Sequence, residues 1–392
     1  MGVLVKPVES RRERQAFLRL PWELYRDDPN WIPPLVQNQK QLVGYARHPF
    51  HRDAEVQTFL AWRDGQPCGR LAAILNRAHN RFHQEQRGFF GFFESIDDES
   101  VAAGLFDAAR SWFAARGITQ LRGPVNPSLN YEVGLLVEGF DTPPTFMMTY
   151  NPPYYGRLIE AAGFRKVQDA YAFGGTVDML DTLDEKLAFI AQAASERFGI
   201  RLRPIDKARF RQDIELFLEI YNRSLVGTWG FVPMSPAEVK HLSASLKHLI
   251  DPELALIAEV EGKPVGALFG LPDYNPRIKE IDGRLFPFGI FKLLSRKRGF
   301  RRFRVISANV LPEYQSWGVG LVLLNGLIPR VLASGLQEAE FSWVLESNHF
   351  SRKSLEKGGA ILEKTYRIYD WPPPAELPGI SATQSQQVAA AE

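Results

Sequence analysis

The feature that most constrains this chain is a weak internal repeat. A pattern of strand, tight turn and strand centred on Gly65 recurs around Gly262. A short helix that closes on a glycine and re-enters a strand also recurs, with Gly163 in the first copy and Gly359 in the second. The intervals are 197 and 196 residues. Two landmarks with nearly equal spacing favour duplication of one domain over chance.

The order of predicted elements gives the fold class. Each copy reads strand, helix, hairpin, strand, helix, strand, helix, strand, which predicts an α/β fold with a mixed sheet and helices on both faces. The length of 392 residues exceeds the size at which one hydrophobic core keeps growing. We therefore predict a first domain over residues 1–177, a second over residues 178–375, and a disordered polar tail over residues 376–392.

Composition excludes several classes of protein. The one cysteine, Cys68, excludes an intramolecular disulfide framework and a cysteine zinc site, and we expect no metal. A net charge of +2, from 47 basic and 45 acidic side chains, gives no support for nucleic-acid binding. The sequence has neither a signal-peptide pattern nor an apolar stretch of spanning length. We expect a cytoplasmic protein.

A glycine-bearing loop in the second copy is the strongest candidate site. An apolar strand over residues 304–310 passes through Pro312 into Gln315-Ser-Trp-Gly-Val-Gly320 and then an apolar helix. The glycines would let the backbone approach a ligand, and the free amides and positive dipole end of the helix suit a pyrophosphate. The alternative is a turn that only begins a core helix. If the two glycines were the only evidence, this alternative would be favoured.

Two motifs decide between these readings. Pro312, Gln315, Gly318 and Gly320 resemble the coenzyme A signature of the GNAT (Gcn5-related N-acetyltransferase) superfamily, and residues 346–359 are similar to its asparagine-containing stretch. The resemblance implies tandem GNAT domains and direct transfer of an acyl group from a thioester to an amine. It places a backbone amide of residues 308–310 at the thioester carbonyl. The residues it assigns to the acyl-CoA cosubstrate are Val310, Leu311, Gln315, Ser316, Trp317, Gly318, Val319, Gly320, Asn348 and Ser351.

The first copy lacks this loop. Its corresponding helix begins after Asp97, Asp98 and Glu99, which are good caps but would repel a pyrophosphate. We therefore expect the first domain to shape the acceptor pocket and the second to bind the thioester.

Three residues are candidates for the chemistry. Asn348 matches the family's cofactor-contacting asparagine and is also a plausible helix N-cap. The family tyrosine that often protonates the thiolate is Leu355 here, so Tyr366, His349 or water would have to serve. Glu94 ends an aromatic strand, where desolvation would raise its pKa as a base for an alkylammonium requires. The alternative for Glu94 is an ion pair with a neighbouring arginine.

A segment between the second hairpin and the glycine-loop strand has the composition of a membrane anchor. Residues 285–304 run from aromatic and apolar side chains into a cluster of six arginines and lysines. Such a segment can dip its apolar face into the headgroup region while its cations meet anionic lipid, at the inner face of the membrane for a cytoplasmic protein. A solvated basic turn beside packed aromatics is the equal alternative.

Several distinctive stretches resemble the ceramide-synthase-like bacterial branch of tandem GNAT proteins. They lie at residues 28–34, 48–50, 88–94, 122–128, 151–155 and 229–233. The resemblance implies transfer of a long acyl group from acyl-CoA or an acyl carrier to a sphingoid base. The alternatives are a GNAT enzyme that acetylates or aminoacylates a small amine or peptide, and a non-catalytic protein that binds acyl-CoA or a membrane surface.

Overall fold

The computed structural model describes residues 2–182, 185–295 and 299–372. The predicted tail over residues 376–392 lies outside these ranges, as do three cations of the basic cluster at residues 296–298. The strands are β1 (Leu4–Pro7), β2 (Ala54–Arg63), β3 (Gln66–Asn76), β4 (Arg87–Ser95), β5 (Gln120–Gly123), β6 (Val125–Asn126), β7 (Glu132–Val133), β8 (Leu135–Glu138), β9 (Arg165–Thr176), β10 (Ile200–Pro204), β11 (Ala255–Val260), β12 (Lys263–Pro272), β13 (Arg302–Val310), β14 (Glu338–Leu345) and β15 (Ile361–Trp371).

The α-helices flank these strands. They are α1 (Arg11–Leu24), α2 (Val36–Leu42), α3 (Arg77–His83), α4 (Glu99–Ala114), α5 (Tyr155–Ala161), α6 (Glu185–Phe198), α7 (Phe210–Ser224), α8 (Pro236–Leu246), α9 (Asn275–Glu280), α10 (Gly289–Leu294), α11 (Val319–Ser334) and α12 (His349–Lys357). Within the described ranges, none of them combines the length and apolar character needed to cross a membrane.

The repeat predicted from the sequence forms two matching hairpins. Asp64 and Gly65 both have positive φ values, 51° and 77°, and join β2 to β3. Glu261 and Gly262 do the same between β11 and β12, with φ values of 51° and 74°. Two consecutive residues with positive φ define the type of turn whose twist matches a hairpin.

The two halves share one continuous sheet because their last strands are exchanged. Thirteen strands form this sheet, with the main order β1-β2-β3-β4-β5-β15-β9-β14-β13-β12-β11-β10, and β8 pairs with β15 beside it. β9, the last strand of the first half, pairs with β14 of the second half. β15, the last strand of the second half, pairs with β5 and β8 of the first. The predicted mixed sheet is confirmed, and neither half completes its sheet alone.

The two exchanged strands meet at the axis of the repeat. β9 and β15 run antiparallel, and Ala170 pairs with Tyr366, which lies 196 residues later. This is the interval that separates Gly163 from Gly359. Directly paired residues point to the same face of a sheet. The local two-fold axis is therefore perpendicular to the sheet and keeps corresponding helices of the two halves on the same face.

Alternation along the strands assigns the helices to the two faces. In β3, Leu71 and Ala73 belong to the core beneath α4, whereas Ala72 and Ile74 belong to the core beneath α1 and α2. In β12, Leu268 packs into the core that contains residues of α11, and its neighbours Ala267 and Phe269 pack with residues of α7. One face thus carries α4 and α11, and the other carries α1, α2 and α7.

A buried polar network fastens the first half to the strands of the second. The Arg304 guanidinium donates to Ser342 Oγ at 2.7 Å and to the carbonyl oxygens of Phe146 and Met147 at 3.2 and 3.0 Å. Ser342 in turn donates to Glu340 at 2.6 Å, and Thr145 donates to the second oxygen of that carboxylate at 2.5 Å. Arg304 and Glu340 are both almost completely buried. Their hydrogen bonds compensate the loss of water.

A buried ion pair also holds β15 against the strands of the first half. Asp370 on β15 accepts from Nε and Nη2 of Arg122 on β5, both at 2.7 Å, and from Arg87 on β4 at 3.0 Å. Asp370 and Arg122 are buried. Removing one partner of a buried pair leaves an uncompensated charge, which is the costly case.

We therefore expect Asp370→Asn to lower the free energy of unfolding by about 3–5 kcal/mol. Urea denaturation measures this change. Glu253→Gln is the matched control, because it breaks a more exposed ion pair with Arg330, and it should cost less than about 1 kcal/mol. Equal effects of the two substitutions would contradict a role for Asp370 in holding the exchanged strand.

Candidate functional site

The glycine loop of the second half presents an uncapped helix N-terminus. The loop is a turn of 3-10 helix, Pro312–Trp317, and Gly318 follows with a φ of 76° before α11 begins. In the described structure no side chain caps this end of α11. The first amides of a helix have no partners within it, and together with the helix dipole they suit an anion such as a pyrophosphate.

Packing around the loop fixes its backbone. A Cβ placed on Gly318 would lie 3.2 Å from Cβ of Ala194 on α6, so the helix closely supports the loop from one side. Trp317 stacks on Phe198 with 4.6 Å between ring centroids, and Gln315 donates to the carbonyl oxygen of Val310 at 3.3 Å. By contrast, a Cβ on Gly320 would meet nothing closer than 4.0 Å. The space beside Gly320 is open to a ligand.

Not every residue assigned to the cosubstrate can reach it with a side chain. Leu311 and Val319 are buried in the core. Only their backbone atoms are available to a ligand. Gln315, Ser316 and Gly320 are exposed or partly exposed, as the assignment requires.

Beside this loop the sheet opens. β13 and β14 are parallel neighbours only from Arg302 to Val305 and from Glu338 to Phe341. Beyond that point the ladder ends, and the register of β13 against β12 shifts at Ile306. The strands therefore separate on the approach to residues 308–310, and Ala308 is exposed. A thioester carbonyl could reach the backbone in this gap.

In the first half the corresponding gap is filled by the chain itself. β4 and β5 pair only from Arg87 to Phe89. Farther along, the amide of Phe92 donates to Oδ1 of Asn126 at 2.6 Å. A Cβ on Gly91 would lie 1.7 Å from the carbonyl oxygen of Val125. The short strand β6 thus occupies the place that is open in the second half.

The N-terminus of α4, the helix that follows this filled gap, is unsuited to bind phosphate. Asp98 is the N-cap of α4, and its carboxylate accepts from the amide of Ser100 at 2.8 Å and from Arg63 at 2.7 Å. The bonds to Ser100 and Arg63 lower the pKa of Asp98 to about 2. The carboxylate stays charged at physiological pH and would repel a pyrophosphate.

Two positions of the asparagine-containing motif have different roles in the structure, one as a helix cap and one in a cavity wall. Asn348 is the N-cap of α12, and its side chain accepts from the amide of Ser351 at 3.1 Å. Seven residues after Asn348, about two turns of helix, Leu355 lines an apolar cavity between α12 and α11. Other lining residues include Leu321, Leu324, Ile328, Phe341 and Gly358. The position where the family has a tyrosine is therefore part of an apolar wall.

Tyr366 lies deep in the shared sheet. It is completely buried on β15, and within the described ranges its hydroxyl has no hydrogen-bond partner. Burial raises its pKa well above the ordinary value, and the charge of Glu340 adds to this effect. Asn348 is exposed at the start of α12. No described contact brings these two residues together.

Glu94 has the raised pKa expected from the sequence and also the alternative ion pair. Its carboxylate accepts from the hydroxyls of Tyr25 and Tyr155, both at 2.8 Å, and from Arg70 at 3.3 Å. Burial raises its pKa, while Arg70 opposes the shift. All three partners belong to the first half. Both oxygens are engaged, so Glu94 is held in a satisfied network.

A second acidic residue, Glu132 on β7, has a raised pKa and a carboxylate that can accept further hydrogen bonds. Its carboxylate accepts from Nδ2 of Asn126 at 3.3 Å, which is its one hydrogen bond among the described residues. Burial raises its pKa, and the charge of Arg304 partly opposes this. The residue is nevertheless partly accessible to solvent. The sequence analysis did not select Glu132 as a catalytic residue, although its position in a polar loop after a strand was a usable signal.

Comparison with known proteins identifies two curated proteins that resemble the chain along nearly its whole length. No family model matches it. It is 36% identical over 376 residues to the bacterial ceramide synthase of Caulobacter vibrioides, covering 93% of this chain and 96% of that protein. It is 35% identical over 373 residues to the protein YghO of Escherichia coli, covering 94% and 95%.

Solved structures agree on the fold. The chain is similar to a GCN5-related N-acetyltransferase from Sphaerobacter thermophilus, with 16% identity, a TM-score of 0.52, and coverage of 95% of this chain and 96% of that one. A tandem GNAT protein from the clavulanic acid biosynthesis pathway gives 11% identity, a TM-score of 0.54, and coverage of 96% and 100%. The tandem GNAT fold expected from the glycine loop is confirmed.

Gly320 offers a direct test of the phosphate loop. We expect Gly320→Val to fold, because an added Cβ would meet nothing closer than 4.0 Å, and to weaken coenzyme A binding by at least about tenfold by blocking the helix amides. Calorimetric titration measures the affinity. Ala103→Val, an exposed position on the matching helix α4, is the control and should leave the affinity unchanged. Wild-type affinity in the Gly320 variant would refute the assignment.

Proposed function

The chain belongs to the acyltransferase family that includes the bacterial ceramide synthase, and from that premise we propose that it joins a long acyl group to the amine of a sphingoid base. The acyl donor is acyl-CoA or an acyl-carrier thioester. The amide nitrogen of the product comes from the acceptor, and the thiol of the donor is released. The reaction takes place in the cytoplasm.

The apolar cavity between α11 and α12 is the observation that most supports a long acyl group. It adjoins the helix whose N-terminus would hold the pyrophosphate, and its wall includes Leu355. An acid for the thiolate would need a polar group at that position, whereas a hydrocarbon chain gains from an apolar one. A small acetyl group would leave most of this surface without a partner.

The second half supplies most of the groups for the transfer. The amides at the start of α11 bind the pyrophosphate, and a backbone amide of residues 308–310 donates to the thioester carbonyl as negative charge develops on its oxygen. The amine nitrogen forms its bond to the carbonyl carbon as the bond from carbon to sulfur breaks. The proton lost by the nitrogen goes to a base, and the leaving thiolate must gain one. Because Tyr366 is completely buried, we assign that proton to water, with Asn348 ordering the start of α12.

We assign the base to Glu132 rather than to Glu94. Glu94 uses both carboxylate oxygens within the first half. Glu132 makes a single side-chain hydrogen bond and remains partly accessible, and its carboxyl feels the charge of Arg304 on β13, the strand that separates from β14 beyond Val305. Desolvation raises the pKa of its carboxyl toward the range in which a base can accept a proton from an ammonium group.

The acceptor chemistry also favours contact with a membrane through residues 285–304. A sphingoid base is an amphiphile, and Phe286, Phe288 and Phe291 of this segment are 75%, 76% and 72% exposed. Isolated exposed aromatics are ordinary, but three on one tip resemble an interfacial anchor. Arg296, Lys297 and Arg298 lie outside the described residues.

Product formation separates the proposed acceptor and donor from the alternatives. Purified protein should convert palmitoyl-CoA and sphinganine to N-palmitoylsphinganine, detected by mass spectrometry, and should give far less product from acetyl-CoA. A higher kcat/KM with acetyl-CoA and a small amine or peptide would favour an acetyltransferase instead. Product from palmitoylated carrier protein alone would identify the carrier as the donor.

The cavity predicts selectivity for chain length. We expect Ala339→Leu, which fills part of the cavity, to lower kcat/KM for palmitoyl-CoA at least tenfold while retaining that for a six-carbon acyl-CoA. Each methylene forced out of an apolar site costs about 0.8 kcal/mol, or roughly fourfold in binding. Ala333→Leu, at an exposed position on α11 outside the cavity, is the control. Equal losses for both chain lengths would place the acyl group elsewhere.

The base predicts a specific pH dependence. A base works only when deprotonated, so kcat/KM should fall as the pH drops through the raised pKa of Glu132. Glu132→Gln should lose this acid limb and lower kcat by about 10²–10⁴. It should not reduce the melting temperature, because it removes a carboxylate whose charged form is disfavoured by burial. Glu94→Gln serves as the comparison and should act mainly on stability.

If Glu132→Gln kept kcat within threefold of the wild type, the base would lie elsewhere. Loss of activity in Glu94→Gln with an unchanged melting temperature would return the role to Glu94.

A further inference from the structure

A second basic surface lies on the first half, outside the segment that the sequence singled out. An open groove of about 1040 Å³ runs between α1, α2 and the start of the 285–304 segment. Six cations line it, against one acidic residue, Glu23. The cations are Arg11, Arg14, Arg19, Arg26, Lys40 and Arg284.

Most of these cations lack a protein partner. Within the described structure, the side chains of Arg11, Arg19, Arg26 and Lys40 make neither a hydrogen bond nor an ion pair, and all four are exposed. Arg14 lies over the ring of Tyr45, at 5.3 Å from its centroid. Many basic side chains elsewhere in the chain form ion pairs, so an unpaired group around one groove creates a local positive potential.

The groove and the aromatic tip are continuous with each other. Leu285 and Phe286 form one edge of the groove, and Phe286 continues into the exposed phenylalanines at 288 and 291. Trp22 of α1 donates to Asp282 at 2.6 Å, and the amide of Val36 donates to the carbonyl oxygen of Gly283 at 3.0 Å. These bonds tie the inserted segment of the second half to α1 and α2 of the first.

We propose that this groove binds the phosphate groups of anionic phospholipids and docks the enzyme on a bilayer. The cations can contact lipid phosphates, and the three exposed phenylalanines that adjoin them can enter the apolar layer beneath the headgroups. A nucleic acid or an acidic protein would satisfy the cations but offers no such phase beside them. Helices α1 and α2 flank the face of the sheet opposite to α4 and α11, so docking leaves the phosphate loop free.

The inference rests on the proposed function for its purpose, since an amphiphilic acceptor is drawn from a membrane. It does not need catalysis to be observed. Vesicle binding therefore tests the groove, and product formation tests the proposed function separately.

The experiment is co-sedimentation of the full-length protein with two kinds of vesicle. One contains phosphatidylcholine alone, and the other also contains about 30% phosphatidylglycerol, which gives it a negative surface potential. We expect binding only to the anionic vesicles, with a steep loss on adding salt. The combined variant Arg11→Glu, Arg19→Glu, Lys40→Glu should lower the partition coefficient by at least about 100-fold, since losing each cation near an anionic surface costs about fivefold and each added carboxylate repels the surface further.

A charge-matched control separates the groove from net charge. Lys207→Glu, Lys247→Glu, Lys263→Glu reverses three exposed lysines elsewhere and should change partitioning no more than about threefold. Phe286→Ser, Phe288→Ser, Phe291→Ser should abolish the binding that persists at high salt. The groove variant should keep the wild-type rate with a short-chain, water-soluble amine.

Three outcomes would overturn the proposal: equal binding to neutral vesicles, equal losses in the groove and control variants, or wild-type partitioning of the groove variant. Retention of an acidic carrier protein by the wild type but not the groove variant, without vesicle binding, would reassign the groove to that partner. Vesicle binding without product from any acyl donor would instead refute the proposed function and leave the groove standing.

Discussion

The exchange of β9 and β15 is the constraint on which the rest of the structure depends. Each strand is the last of its own half and completes the sheet of the other, and the two pair at equivalent positions of the repeat. A sheet edge that is apolar on both faces is stable only when paired or covered. The halves therefore cannot separate without exposing two long edges, and their geometry is fixed as firmly as that within one domain.

Local differences between the halves support one thioester site rather than two in the proposed function. The central strands separate in both halves. Asn126 and its short strand fill the gap in the first half, whereas the gap between β13 and β14 in the second half is open. The helix ends follow the same division, with a charged Asp98 at α4 and an uncapped Gly318 at α11. Since the sheet is continuous, the proposed function needs a thioester site in the second half only, and the first half can contribute structure and acceptor-side groups.

Local signals in the sequence predicted local structure well. The paired residues with positive φ, the glycine loop and the N-cap at Asn348 depend on a few neighbours, so their residue types sufficed. The strand exchange could not be predicted, because the pairing of Ala170 with Tyr366 joins residues 196 positions apart. For the same reason, the sequence could not show that the Glu132 carboxylate accepts a single hydrogen bond or that both carboxylate oxygens of Glu94 are engaged. The cosubstrate residues and domain limits remain predictions.

The two faces of the sheet give the proposed roles a spatial order. The local axis is perpendicular to the sheet, so α4 and α11 share one face, while α1 and α7 share the other. The phosphate loop and the apolar cavity belong to the α11 face, and the basic groove and aromatic tip to the α1 face. The opening between β13 and β14 is where the sheet no longer separates them. A thioester from one face and a membrane-borne amine from the other would meet at that opening, so neither lipid chain need cross the path of the other.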